Sequence, residues 1–205
     1  MRNILIHCAM EKEGIQIAEK LGLREAEANV YRRDNISLII SGLGKEMTMM
    51  SVSKYLVYAD EKSYDAVARP DLIINIGYAG STNIDIGSWV CISKAYNYEW
   101  DIPGEERYSM KVGDQELELV NDMMAYPCYT SESFVESTDI KDDVVFDMEL
   151  HALAILADTY KIPLISLKKI SDNLSFDKYH ESLKNEDIFE LTSSIDILEK
   201  NKLLK

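Results

Sequence analysis

Three acidic residues stand where chemistry is easiest to build. Glu149 and Asp172 bracket one helix-and-strand unit within residues 144–175, VVFDMELHALAILADTYKIPLISLKKISDNLS, and Glu13 follows the first apolar run of the chain. Met148, Ala152, Ile155, Leu156 and Thr159 recur at helical spacing, which predicts a helix over residues 148–160. Lys161-Ile162-Pro163 ends it, because proline cannot continue a helix. Residues 164–170 read as a short apolar strand, and Ser171-Asp172-Asn173 as the polar turn that closes it. Glu149 then lies at a helix start and Asp172 at a strand exit, the edge where α/β sheets place their ligands. Each carboxylate also has an ordinary structural reading. Asp172 can cap its turn, Glu149 can be a first-turn glutamate, and Glu13 can offset a helix dipole from the surface. Singly the ordinary readings lead; the three together with two glycine-rich turns favour a site.

The elements that must position them follow from the rest of the chain. Ile4–Cys8 is a buried-strand run, and Glu11-Lys12-Glu13 opens a helical pattern through Ile15, Ile17, Ala18 and Leu21. Residues 27–32 and 36–41 read as two strands joined by a tight turn at Arg33-Asp34-Asn35. Ser41-Gly42-Leu43-Gly44-Lys45 enters a helix through Met47, Met50, Val52, Tyr55 and Leu56, whose methionine stripe reads as core packing. Residues 72–76 form a strand running into Gly77-Tyr78-Ala79-Gly80-Ser81, read as a second small-residue turn, and residues 89–93 form another strand. Residues 95–108, rich in aromatic and acidic side chains, read as a loop that serves as a lid, a subunit contact or packing. A helix is expected over residues 115–124, a strand over 128–135 carrying Phe134, and one long amphipathic helix over 176–204. Strands alternating with helices predict one α/β domain with a mostly parallel sheet.

Composition narrows the function. A chain of 205 residues, 46% hydrophobic and 28% charged, is ordinary for a globular protein. A net charge of −14 argues against a nucleic-acid or membrane partner, while leaving room for a small anion held by one local cradle. Cys8, Cys91 and Cys128 are too scattered for a disulfide framework or a zinc site, and the three histidines share no metal-ligand spacing. The start, MRNILIHCAM, is a poor signal peptide, and no run reaches the length of a membrane span. Cytoplasm is the expected location.

Several motifs coincide in order and spacing: Ala9-Met10-Glu11-Lys12-Glu13, Ser41-Gly42-Leu43-Gly44-Lys45, PDLIINIGYAG ending at Gly80, Ser131-Glu132-Ser133-Phe134, Asp147-Met148-Glu149, Ile170-Ser171-Asp172 and a final SFDKY. Over nearly its full length the chain resembles the 5′-methylthioadenosine/S-adenosylhomocysteine nucleosidases of the purine nucleoside phosphorylase and nucleosidase superfamily. The resemblance implies one domain over residues 1–205, a three-layer α/β/α sandwich around a mixed, partly closed sheet. It implies hydrolysis of the N-glycosidic bond of an adenine nucleoside, with a small purine nucleoside as partner, no metal or other cofactor, and a homodimer. By the same resemblance Asp172 is the general acid toward purine N7, supported by Ser171, and Glu13 handles the attacking water. Glu149 clamps the ribose hydroxyls with Met148 beside the sugar. Phe134 stacks on the base and the Val135 backbone meets its edge. Met10, Tyr78, Ala79 and Gly80 complete the substrate contacts.

The chain departs from the usual family residues at Tyr78, where a smaller residue is common, at Leu150 (alanine) and at Lys168 (arginine). Tyr78 is expected to narrow the pocket. Residues 22–40 and 95–108 are short relative to the family. A phosphorylase would hold phosphate with arginines, absent from CAMEKEGI and INIGYAG, so water is the better acceptor. A futalosine-hydrolase-like enzyme and a nucleoside-binding relative without turnover are the other readings.

Overall fold

The computed structural model describes residues 2–60, 68–113, 116–185 and 189–204, and these described residues run as nine strands and five helices. They are β1 (Ile4–Cys8), α1 (Glu11–Leu21), β2 (Arg24–Glu27), β3 (Val30–Arg33), β4 (Ile36–Ile40), α2 (Lys45–Asp60), β5 (Leu72–Ser81), β6 (Trp89–Asn97), β7 (Ala125–Thr130), β8 (Val145–Asp147), α3 (Leu150–Tyr160), β9 (Leu164–Asp172), α4 (Phe176–Ser182) and α5 (Ser193–Lys200).

Strand β5 is the axis of the sheet. On one side it pairs in parallel with β1, beyond which lie β4, β3 and β2. On the other it pairs in parallel with β9 from Ile73 to Gly80. From β9 the sheet continues through β6, β7 and β8, and β8 returns to pair antiparallel with Gly80 and Ser81 of β5. The far half of the sheet is thus a ring closed on β5. Five of these strand pairs are parallel and four antiparallel, so the sheet is mixed, as the resemblance implied, rather than mostly parallel.

Helices cover both faces. Ile17, Ala18 and Leu21 of α1 and Leu191, Ile195 and Leu198 around α5 bury one face with Ile6, Ile74 and Ile165. Val52, Tyr55 and Leu56 of α2 and Leu150, Leu153 and Ala157 of α3 bury the other with Leu5, Ile73 and Leu164. This is the expected three-layer sandwich. Leu150, one of the departures, is fully buried there.

Several local expectations are corrected. Residues 77–81 are not a turn but the end of β5, with glycine at 77 and 80 because the Glu13 and Asp172 carboxylates pack against them. Residues 27–32 are not one strand. Asn29 takes a left-handed φ of 64°, and the chain folds there into the β2–β3 hairpin. Met47 and Met50 are 42% and 60% exposed, because the core stripe of α2 is Thr48, Val52, Tyr55 and Leu56. Of the helix expected over 115–124, residue 115 lies outside the described residues; residues 116–124 are loop, packed by Leu117 and Val120. Strand β7 ends at Thr130, so Phe134 lies on a loop. The expected long C-terminal helix is α4 and α5, separated by a stretch in which residues 186–188 lie outside the described residues.

Candidate active site

The exit of β5 faces a cavity of about 260 Å³. Glu13, Met10, Tyr78, Ala79, Gly80, Phe134, Met148, Glu149, Ser171 and Asp172 all line it. Val135 lines a small adjoining recess together with Phe134, Met148 and Asp172. All eleven residues singled out from the sequence therefore gather in one place.

Glu13 is not the surface residue of its ordinary reading; it is 2% exposed. It sits in the first turn of α1, where the opening N–H groups lack helical partners. Its Oε2 accepts from Ala9 N (3.1 Å) and Met10 N (2.8 Å), and its Oε1 from Tyr78 N at 3.1 Å. One carboxylate thus caps a helix and ties it to β5. Burial raises its pKa, against those N–H groups and the charge of Lys168. Gly77 permits the approach, since a Cβ there would stand 3.0 Å from Oε1.

Glu149 immediately precedes α3, and its Oε1 accepts from Gly44 N at 2.8 Å. The Ser41–Lys45 turn is thereby locked to the start of α3. Burial, then the neighbouring Asp147 charge, push the Glu149 pKa up to about 8, against Lys168 and the Gly44 N–H. The folded carboxyl holds its proton more tightly than the unfolded one. Its contribution to stability is full below the ordinary value of 4.5 and is lost as pH rises toward about 8. The melting temperature of the ligand-free protein should fall across that window, and Glu149→Gln should flatten the slope. Thermal melts at intervals of half a pH unit check this; an unchanged slope in the variant would contradict it.

Asp172 is delivered by a β-bulge. The β5–β9 register runs Ala79↔Ile170 and then Gly80↔Asp172, so Ser171 is an extra residue that breaks the alternation of β9. Ser171 Oγ lies 2.8 Å from Asp172 Oδ2 and 3.2 Å from the Ala79 carbonyl. Oδ1 is buried with no hydrogen-bond partner among the described residues. Burial raises this pKa too, against the Ser171 hydroxyl and the Ser175 and Leu174 N–H groups. A Cβ on Gly80 would stand 2.8 Å from Oδ1, so only glycine leaves room for the carboxylate.

Behind the three carboxylates lies a buried ion pair that was not anticipated. Lys168 Nζ is 2.8 Å from Asp147 Oδ2, with side chains 2% and 0% exposed. Thr130 Oγ1 donates to Asp147 Oδ1 and Leu150 N to Oδ2. Burial pushes Asp147 up, but Lys168, Thr130 and the Leu150 N–H prevail and hold it below the usual range. Asp147 also lines the cavity.

Aromatic rings close the cavity. Phe134 meets Phe176 edge-on at 5.5 Å and Tyr179 at 5.8 Å. Both partners come from the SFDKY motif, although neither was singled out as a site residue from the sequence. Tyr78 does not fill the cavity. Its hydroxyl donates to the Phe189 carbonyl and its ring stacks on Phe189 at 6.0 Å. The aromatic loop is packing: Tyr98, Tyr108, Tyr129 and Phe146 stack in one cluster, and Phe146 carries it to the cavity wall.

A sandwich whose sheet closes back on its central strand, with carboxylates gathered at that strand's exit, is the arrangement expected of the nucleoside phosphorylase and nucleosidase class. Residues 4–196 match the phosphorylase superfamily, and the chain belongs to it. It is 26% identical over 181 residues to the 5′-methylthioadenosine/S-adenosylhomocysteine nucleosidase of Buchnera aphidicola subsp. Schizaphis graminum, covering 75% of this chain and 73% of that one. The fold is shared with the apo structure of Arabidopsis thaliana 5′-methylthioadenosine nucleosidase, at a TM-score of 0.78 and 19% identity over 96% of this chain and 94% of that one. It is shared also with the futalosine hydrolase of Helicobacter pylori strain 26695, at a TM-score of 0.75 and 16% identity over 97% and 98%.

Proposed function

We propose that this chain, acting as one domain over residues 1–205, hydrolyses the N-glycosidic bond of an adenine nucleoside of the methylthioadenosine or S-adenosylhomocysteine type. The observation that carries the proposal is the convergence of Glu13, Glu149 and Asp172 on one cavity walled by Phe134. Adenine is a poor anionic leaving group. Asp172, whose pKa burial raises, gives its proton to N7, and the N9–C1′ bond breaks with its electron pair retained by a neutral base. The sugar becomes oxocarbenium-like, and Glu149 grips the ribose hydroxyls and faces that charge. Water adds at C1′ and yields its proton to Glu13. Ser171 holds Asp172; Met10 and Met148 flank the sugar; Phe134, the Val135 backbone, Ala79 and Gly80 contact the base; Tyr78 holds Glu13 through its N–H.

Water rather than phosphate is the acceptor because, among the described residues, none that lines the cavity is Arg, Lys or His. A phosphate dianion would find no cationic side chain there to hold it and would meet Glu13. Sugar product formed in the presence of phosphate checks this: free reducing sugar is expected, and a sugar 1-phosphate would move the chain to the phosphorylases. Gly80→Ala should lower kcat/KM by about 10²-fold while leaving the fold intact, because a displacement of about 1 Å at a catalytic group costs that much. Adenine release and a thermal melt on the same preparation separate the two effects.

Leu43 and Phe176 line the cavity yet are 54% and 49% exposed, which supports a neighbour completing the site in a homodimer. The cytoplasm is the proposed location. Among the described residues, no helix is long and apolar enough to cross a membrane.

A further inference from the structure

A row of polar side chains crosses an otherwise apolar face of the sheet. His7 on β1, Asn75 on β5 and Ser166 on β9 stand directly opposite one another in the two parallel registers. All three are buried, on the face that presents Leu5, Ile73 and Leu164 to α2 and α3. None of the three is among the residues lining the active-site cavity. Aliphatic side chains would fill the row without burying polar groups, so packing alone does not account for it.

The hydrogen bonds of the row run in one direction. Ser166 Oγ donates to Asn75 Oδ1 at 2.8 Å, which turns the Asn75 amide nitrogen toward His7 Nδ1, 3.0 Å away. Nδ1 therefore accepts, and in a neutral ring Nε2 carries the proton. Burial, then the Lys168 charge, lowers the His7 pKa to about 3 against the pull of Asp147, so the ring is neutral. Nε2 donates to Ser41 Oγ at 2.8 Å, and Ser41 Oγ donates to the Gly42 carbonyl at 2.8 Å. The row thus ends on the turn that holds Glu149. Gly42 and Gly44 take φ of 90° and 93°, a region glycine enters freely, so the turn needs outside contacts to fix its shape. The Gly42 carbonyl belongs to the peptide plane next to the one whose Gly44 N–H meets Glu149 Oε1 at 2.8 Å.

We propose that His7 is a positioning residue for the reaction, ordering the Ser41–Lys45 turn so that the Gly44 N–H meets the Glu149 carboxylate. The role depends on Glu149 serving the hydrolysis proposed above. His7→Phe keeps a ring and removes both polar nitrogens. It should lower kcat/KM for adenine release by about 10- to 100-fold, the upper figure being the cost of misplacing a catalytic group by about 1 Å. His7→Gln, whose amide can still donate to Ser41 Oγ, should recover most of the loss. Two readouts separate positioning from a general loss of stability. The carboxyl chemical shift of Glu149 should titrate at higher pH in His7→Phe, because the Gly44 N–H that favours the carboxylate is displaced while Asp147, Lys168 and Glu13 stay. In a Glu149→Ala background, where the turn has no carboxylate to hold, His7→Phe should cost no further activity. If His7→Phe does not fold, Ser41→Ala breaks the row at its last hydroxyl and should move the Glu149 titration the same way. Wild type that releases no adenine would sink the hydrolase reading, and the titration would still decide whether His7 sets Glu149. An unmoved Glu149 titration in a folded variant, or an undiminished activity loss in the Glu149→Ala background, would overturn the proposal.

Discussion

Asp172→Asn should lower kcat/KM for adenine release by roughly 10²–10⁴-fold, the usual worth of a positioned general acid. The substitution keeps the shape and keeps a partner for Ser171 Oγ, 2.8 Å from Oδ2 in the native protein. It removes only the transferable proton. Stability should hold or rise, because the native carboxyl is buried with Oδ1 unpartnered among the described residues. The chemistry supplies a sharper control. A ribosyl substrate with a 4-nitrophenolate leaving group departs as a stable anion and needs no protonation. Asp172→Asn should cleave it nearly as fast as wild type. Equal losses on both substrates would make Asp172 a binding residue and not the acid.

Lys168→Met should cost about 3–5 kcal/mol of folding stability, the usual penalty for stranding one member of a buried ion pair. Asp147 would keep the Thr130 hydroxyl and the Leu150 N–H but face no cation at 2.8 Å, with Glu149 two residues away. Lys168→Arg keeps the charge and should recover most of the loss. The deficit should shrink on acidification, as the stranded Asp147 takes up a proton. Urea denaturation at pH 7 and pH 5 measures both effects. A loss below about 1 kcal/mol would contradict a tightly buried pair and suit an exposed one.

The carboxylates were legible because each stands at a junction that the local pattern marks: a helix start for Glu13 and Glu149, a strand exit for Asp172. Motif order then tied them together. What escaped was set by contacts between distant segments. Gly77 and Gly80 have the composition of a turn, yet they are strand residues kept small by Glu13 and Asp172 packing on them. No local signal carries that. The bulge at Ser171 is likewise a property of the pairing with β5, and Lys168 finds Asp147 across the sheet. Strand β8 is three residues long, too short for periodicity to mark. The β2–β3 hairpin hid in a polar run because its turn rests on one left-handed asparagine, Asn29. The aromatic loop gave no preference among lid, subunit contact and packing. Tyr108 and Tyr98 meet Tyr129 of β7 and Phe146 of β8 edge-on, so these rings are packed within the chain.

The central claim is that three buried carboxylates on one cavity, lined among the described residues by no Arg, Lys or His, make a hydrolase of adenine nucleosides. The most direct measurement is adenine release from methylthioadenosine and S-adenosylhomocysteine in phosphate-free buffer, followed by the absorbance change on loss of the sugar. The account predicts multiple turnovers with no added phosphate and no metal. Release that begins only when phosphate is supplied, or none from either nucleoside by a folded protein, would contradict it.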